Sequence, residues 1–180
     1  MGGSVIWHVA TSLDGYIAAP DGDVGWVFGH DFPGREAETT PGRIGAIIAG
    51  RVWHDECAAR DWDVVAPYHG QWSGPIFVLT HRPPDASPLP VTFLTADINL
   101  AIRTARDAAC GKDVGLFGAD IPRQALEAGL LDEIIVHIIP VLLGGGRRLC
   151  VHDGPPIRLV NTHGKDHAAA TLVLRPEGKR

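Results

Sequence analysis

Short runs of β-branched and large apolar residues, each closed by glycine, proline or aspartate, recur along the chain and predict a succession of strands. The first covers residues 4–10, with Val5, Ile6, Trp7 and Val9, and runs into Thr11-Ser12-Leu13-Asp14-Gly15-Tyr16-Ile17-Ala18, where the Asp-Gly pair predicts a turn or bulge. Further strands are expected over Ile44 to Ala49, Ile76 to Thr80, Val91 to Leu94 and Val114 to Phe117. Glu133 to Ile139 is a β-branched run of the kind buried on both faces of a parallel sheet. Ile157 to His163 and Ala168 to Leu174 flank Gly164-Lys165-Asp166-His167 and predict a terminal antiparallel hairpin.

Helical periodicity fills the intervals. Arg51 to Arg60 follows a strand closed by Gly50, and Asp97 is placed to cap a helix whose Ile98, Ala101, Ile102, Ala105 and Ala109 share one face. Asp120 is read as the cap of a helix over Ile121 to Ala128, closed by Gly129, which makes the segment from Val114 to Ile139 a right-handed βαβ unit. Pro20 to Gly34, rich in glycine around Trp26 and Phe28, predicts a long loop with apolar anchors. The class is α/β with a mixed, largely parallel sheet, and at about 150 residues per domain the chain is expected to form one domain over residues 1–180.

Composition narrows the partners. With 45% hydrophobic and 21% charged residues the chain has the make-up of a globular domain. A net charge of −5 argues against a nucleic-acid partner and for a small-molecule one. The longest apolar stretch, Ile134 to Leu143, contains His137 and Pro140 and falls short of the roughly 20 residues of a membrane span. No secretory pattern opens the sequence, so a cytoplasmic location is expected. Three cysteines, widely spaced, suggest neither a disulfide framework nor a zinc site, and His163 with His167 has ligand-like spacing but no third ligand nearby, so no metal is expected. His54-Asp55-Glu56 matches half of a zinc deaminase signature whose Pro-Cys-x-x-Cys half is missing. Neither a Gly-x-Ser-x-Gly elbow nor a phosphate-binding Gly-x-Gly-x-x-Gly or Walker sequence occurs.

In an open α/β sheet, ligands bind beyond the carboxyl ends of the parallel strands, and four segments are expected there. Gly118-Ala119-Asp120 opens a helix and offers either N–H groups to a phosphate or simply a tight turn. Gly50-Arg51 places an arginine at another helix start, as a phosphate ligand or a surface residue. Thr80-His81-Arg82 suits a nucleotide phosphate such as the 2′-phosphate of NADP, and equally suits a solvated loop. Asp14, in Ser12-Leu13-Asp14-Gly15, is a polar-ligand residue or the centre of an Asx-turn.

The order of these segments resembles the dihydrofolate reductase-like superfamily, and within it the C-terminal reductase domain of the bifunctional riboflavin-biosynthesis deaminase/reductase. Residues 12–18, Gly50-Arg51, Phe77-Val78-Leu79-Thr80, Ala128-Gly129-Leu130-Leu131-Asp132-Glu133 and Pro140-Val141-Leu142-Leu143-Gly144-Gly145-Gly146 carry the likeness. It implies a mixed, mainly parallel sheet of about eight strands flanked by helices, a homodimer, and NADPH-dependent reduction of a C=N or C=O bond in a pyrimidine, pteridine or sugar-derived substrate. The most fitting family label is a 5-amino-6-(5-phosphoribosylamino)uracil reductase. By motif, Ala10 and Ile17 would line the nicotinamide pocket, Gly50 and Arg51 the phosphates, Thr80, His81 and Arg82 the adenosine phosphate, and Phe117, Gly118, Ala119, Asp120 and Ile121 the pyrophosphate. Trp26 followed by Asp31 resembles the dihydrofolate reductase arrangement of a tryptophan and a substrate-binding carboxylate, which makes Asp31 and Asp14 the catalytic candidates. Two residues depart from the pattern: Phe117 replaces the first of two glycines, and Trp53 replaces a threonine. They motivate two other readings, a non-catalytic ligand-binding domain on the same scaffold and, from Trp26 and Asp31, a true dihydrofolate reductase.

Overall fold

The computed structural model describes residues 2–27, 35–161 and 171–176. Along the chain it runs β1 (Val5–Ser12), β2 (Tyr16–Ala18), α1 (Arg35–Arg43), β3 (Ile44–Gly50), α2 (Arg51–Ala58), α3 (Trp62–Val65), β4 (Ile76–Leu79), β5 (Thr92–Leu94), α4 (Ile98–Ala108) and β6 (Asp113–Leu116). It continues through α5 (Asp120–Glu127), β7 (Glu133–Ile139), β8 (Arg147–Arg148), β9 (Leu159–Asn161) and β10 (Thr171–Pro176). Eight strands form one sheet in the order β5-β4-β3-β6-β1-β7-β10-β9, and β2 pairs with β8 in a separate ribbon. From β5 to β7 every pairing is parallel, while β10 runs antiparallel to both β7 and β9. The terminal hairpin and mixed sheet expected from the sequence are therefore present, with Gly164 to His167 outside the described residues.

Period-two alternation sends neighbouring side chains to opposite faces. One face collects Val5, Trp7, Ala46, Ile48, Phe77, Leu79 and Leu116 under α4 and α5, which contribute Ile98, Ala101, Ile102, Ala105, Ile121 and Ala125. The other holds Ile6, Ile44, Ile47, Ile76, Ile135 and Val173, against which Trp53, Trp62, Tyr68, Trp72 and Phe117 pack. Asp97 caps α4 as its sequence position implies, its carboxylate accepting from the Leu100 N–H at 2.8 Å.

The lower, amino-terminal ends of the strands are fixed by charge. The Asp132 carboxylate accepts from the Val5 N–H at 2.8 Å, and Glu133 and Asp113 pair with Arg43 at 3.0 and 2.9 Å. The Asp132-Glu133 pair of the resemblance is thus a structural anchor far from the strands' carboxyl ends.

The structure corrects several boundaries. The β6 strand ends at Leu116, and Phe117 lies beyond it with its N–H donating to the Ile48 carbonyl at 2.9 Å. Asp120 is not the cap of α5: that position is Ala119, which has no side-chain acceptor, and the Asp120 carboxylate turns to Arg123 at 2.6 Å and Gln124 at 2.7 Å. The helix α1, polar and carrying Pro41, is an element for which the apolar pattern gives no signal.

Candidate functional site

At the carboxyl ends of β1, β3, β4 and β6 lies a cleft of about 750 Å³. Ala10, Ile17, Gly50, Arg51, Thr80, His81, Phe117, Gly118, Ala119, Asp120 and Ile121 all line it, so the segments singled out along the chain meet in one place. Arg82 does not line it, but its carbonyl accepts a hydrogen bond from Arg51 Nη1. Asp31 lies outside the described residues.

Two helices begin at this cleft, and neither α2, starting after Gly50, nor α5, starting after Ala119, has a side-chain cap. By contrast α3 and α4 are capped by Asp61 and Asp97. Uncapped amino termini keep N–H groups and a partial positive charge available to an anion. Gly118 sits in the left-handed region, φ +87°, with no atom within 4 Å of where a Cβ would stand. The β6–α5 turn therefore leaves open space beside the uncapped α5 amino terminus.

A hydrogen-bonded network stiffens the neighbouring wall. Arg51 Nε lies 2.7 Å from Asp55 Oδ1, the same oxygen lies 2.8 Å from His54 Nδ1, and His54 Nε2 lies 2.9 Å from Ser87 Oγ. Through these residues α2 holds the connection from β4 to β5, in which the Thr80 hydroxyl also accepts from the Arg82 N–H at 3.2 Å.

The opposite wall is the β2–β8 ribbon. Arg147 reaches Glu56 of α2 at 2.9 Å, and the Arg148 guanidinium lies 5.2 Å from the centre of the Tyr16 ring. Gly146 is required here because a Cβ would lie 2.0 Å from the Ala18 carbonyl oxygen. Among the described residues, Arg51, Arg123, Arg147 and Arg148 line the cleft against Glu56 and Asp120, a local positive excess in a chain whose net charge is −5. Arg123, Arg147 and Arg148 were not among the sequence candidates, although the arginine pair directly after the Gly144-Gly145-Gly146 turn was a visible signal.

Asp14, a catalytic candidate, is placed elsewhere. Its carboxylate accepts from Ser12 Oγ at 2.6 Å, from Gly144 N–H at 2.7 Å and from Leu143 N–H at 3.1 Å, and it is not among the residues lining the cleft. The Ser12 hydroxyl bond, followed by those backbone N–H groups, pulls its pKa down to about 2. The Asp-Gly turn thus latches the 140–146 loop to the end of β1.

Phe117 and Trp53, the two departures from the family pattern, meet edge to face with ring centres 6.2 Å apart, and both line the cleft. Tyr68 packs edge-on against Phe117 at 5.9 Å and stacks on His8 at 5.5 Å. Beneath this wall runs a chain of polar contacts: Tyr68 Oη lies 3.1 Å from His8 Nδ1, His8 Nε2 lies 2.7 Å from His137 Nε2, and His137 Nδ1 lies 2.9 Å from Thr171 Oγ1. Burial first, then the neighbouring His137 and Arg43, lowers the His8 pKa to about 3. Burial also lowers His137 to about 4, against an opposing pull from Glu36. The alternation of apolar residues around them hides these histidines in sequence, where they read as strand residues.

Among the described residues, no group of three or more histidine, cysteine, aspartate or glutamate side chains is placed to hold a metal ion, and no helix is long and apolar enough to cross a membrane.

A mainly parallel eight-stranded sheet of this order, with its cleft at the carboxyl ends, is the dihydrofolate reductase-like fold. The family model of the RibD C-terminal domain matches residues 3–168, and the chain belongs to that family. The uncharacterised protein YwjB of Bacillus subtilis (strain 168) is 24% identical over 143 residues, 78% of this chain and 79% of its own length. A protein assigned to riboflavin biosynthesis in Shewanella sp. PV-4 superposes with a TM-score of 0.75 at 22% identity, covering 98% of this chain and 99% of that one. The Thermotoga maritima diaminohydroxyphosphoribosylaminopyrimidine deaminase/5-amino-6-(5-phosphoribosylamino)uracil reductase gives 0.65 at 16% identity, with 97% of this chain matched to 57% of that one. Enterococcus faecalis dihydrofolate reductase complexed with NADP(H) gives 0.61 at 13% identity over 98% of both chains.

Proposed function

We propose that the chain is an NADPH-dependent reductase acting on a C=N or C=O bond of a small pyrimidine, pteridine or sugar-derived molecule, with the ribosylaminopyrimidine of riboflavin biosynthesis as the first substrate to try. One observation carries this reading: eleven residues chosen for a dinucleotide line one cleft that has two uncapped helix starts and an excess of arginine. The cofactor, when bound, supplies the hydride. Gly118, Ala119 and Ile121 would receive its pyrophosphate on backbone N–H groups, Arg51 and Thr80 with His81 its phosphates on the α2 side, and Ala10 and Ile17 its nicotinamide. The aromatic pair of Trp53 and Phe117 replaces a hydroxyl and a glycine by a flat apolar wall, which suits a planar ring and excludes water. A homodimer and a cytoplasmic setting complete the proposal, following the family resemblance.

The test is thermal unfolding with NADPH and NADH in parallel. At a hundredfold excess over Kd a ligand that binds only the folded state adds about 2.7 kcal/mol, a shift of several degrees. A shift with NADPH that exceeds the NADH shift supports the reading and the phosphate role of the Thr80–Arg82 turn. No shift with either overturns it in favour of a domain that binds another ligand.

A further inference from the structure

Among the described residues four arginines line the cleft, and three of them are matched by carboxylates. Arg51 lies 2.7 Å from Asp55, Arg123 lies 2.6 Å from Asp120 and 2.7 Å from Glu127, and Arg147 lies 2.9 Å from Glu56. The fourth, Arg148, forms no ion pair among the described residues. Its partner is a ring: Arg148 Cζ lies over Tyr16, 5.2 Å from the ring centre, and the two residues are cross-strand neighbours in the β2–β8 ribbon. A ring face restrains a guanidinium but accepts no strong hydrogen bond, so the N–H donors stay available for the paired contacts that phosphoryl oxygens accept.

The ribbon that carries this pair is tied to the end of β1 on both of its strands. On β2, the Tyr16 N–H donates to Ser12 Oγ at 2.9 Å, and the Tyr16 carbonyl accepts from Thr11 Oγ1 at 3.2 Å. Beside β8, the Leu149 N–H donates to the Gly15 carbonyl at 2.9 Å, and the Asp14 carboxylate holds the Leu143 and Gly144 N–H groups. The guanidinium is thus presented to the cleft on a braced frame. A side chain restrained in advance loses less freedom when an anion arrives, so more of the interaction is expressed as affinity. Glu56 and Asp120, the described carboxylates lining the cleft, are engaged by Arg147 and Arg123, which leaves Arg148 as the guanidinium without a carboxylate.

We propose that Arg148, held over Tyr16, is a phosphoryl-binding residue of the cleft, and that the ligand it selects is a phosphate ester. The phosphoryl group has two possible sources, the sugar phosphate of a substrate and the pyrophosphate of the cofactor. The substrate is favoured, because β2 also carries Ile17, allotted above to the nicotinamide end, whereas the pyrophosphate is allotted to the β6–α5 turn. The choice of ligand rests on the reductase reading above; the anion-binding role of the residue does not. Tyr16 is a positioning residue, acting through Arg148.

The experiment compares the wild-type chain with Arg148→Gln and Tyr16→Leu. KM in NADPH oxidation is measured for 5-amino-6-(5-phosphoribosylamino)uracil and for its dephosphorylated nucleoside, and thermal shifts are measured with NADPH and with inorganic pyrophosphate. Unliganded unfolding midpoints check the fold. Arg148→Gln is expected to raise KM for the phosphorylated pyrimidine by about 10–100-fold, the size of lost charge-assisted hydrogen bonds, and to leave KM for the nucleoside unchanged. Tyr16→Leu keeps the charge and is expected to lower the same discrimination by only about 2–5-fold. A loss of NADPH affinity in Arg148→Gln, with the ratio of the two pyrimidine KM values unchanged, supports the phosphoryl role and assigns the group to the cofactor. Wild-type behaviour of Arg148→Gln with every probe overturns the proposal and leaves the reductase reading standing. Where NADPH gives the wild type no shift, or neither pyrimidine is reduced, the reductase reading or its substrate falls by itself and pyrophosphate decides. A pyrophosphate shift that Arg148→Gln abolishes then supports the residue's role, and equal shifts, or none, overturn it.

Discussion

On one face of the sheet, α4 and α5 press Ile98, Ala101, Ile102 and Ala125 onto Val5, Trp7 and Leu116, in a mainly apolar interior. On the other, the rows of Ile6, Ile135 and Val173 continue toward the cleft as His8, His137 and Thr171, with Thr171 directly opposite His137 in the ladder. The two faces share strands, register and burial, so the difference is one of position along the strand. Polar side chains enter the second face at both ends of its strands, Glu133 at the amino-terminal end and His8, His137 and Thr171 towards the cleft, where the Tyr68 ring stacks on His8. An apolar face contributes most by close packing and tolerates little change, whereas a face carrying hydrogen-bonded titratable groups couples its stability to pH.

The largest effect that would sharpen this contrast is a truncation on the apolar face. Ile102 is almost fully buried, and Ile102→Ala is expected to cost about 2–5 kcal/mol by urea unfolding, equally at pH 5 and pH 8. The second effect is pH dependence on the histidine face. Both histidines have folded-state pKa values, about 3 and about 4, below the ordinary 6.5, so the unfolded chain binds more protons between those values. Their contribution is complete above pH 6.5 and is lost as the pH falls toward 3, by up to about 1.4 kcal/mol per pH unit for each histidine. Replacing both with leucine should flatten that slope in acid unfolding curves; an unchanged slope would erase the distinction between the faces. The smallest effect is local: Gly118→Ala meets no neighbouring atom, so its cost is the left-handed backbone, about 1 kcal/mol. It should nevertheless reduce the NADPH-induced shift, because the new methyl group stands in the open space beside the α5 amino terminus.

Much of this architecture is legible in the sequence because its signals are local. A strand such as Ile44–Gly50 announces itself by a run of apolar residues and a closing glycine, and Asp97 by its place one residue before an amphipathic helix. The segment from Arg35 to Arg43 gives no such signal: its helix is short and polar, and it is held by what it packs against. The same limit applies to the site. Backbone-defined positions, Gly50, Thr80 and Gly118, can be inferred from strand ends, since the cleft forms wherever parallel strands stop. Arg123, Arg147 and Arg148 come from three-dimensional convergence, and Asp14, which looks like a ligand residue, turns out to bind the chain's own backbone. The polar contact between His8 and His137 joins residues 129 positions apart and is invisible to any local pattern.

That separation has a consequence for how the molecule is made. The strand β1, synthesised before β6 and β7, belongs between them in the sheet, where Val5 pairs with Val114 and Ile6 with Glu133. Its slot cannot be completed until β6 and β7, more than a hundred residues later, have emerged, so most loop-closure entropy is spent before the central ladder offers any return. In the interval the nascent chain carries the apolar strand β1 and a β3 edge still without β6, the kind of surface on which chains associate wrongly. Slow, concentration-sensitive refolding is the expected kinetic counterpart of placing β1 between two strands that follow it by more than a hundred residues.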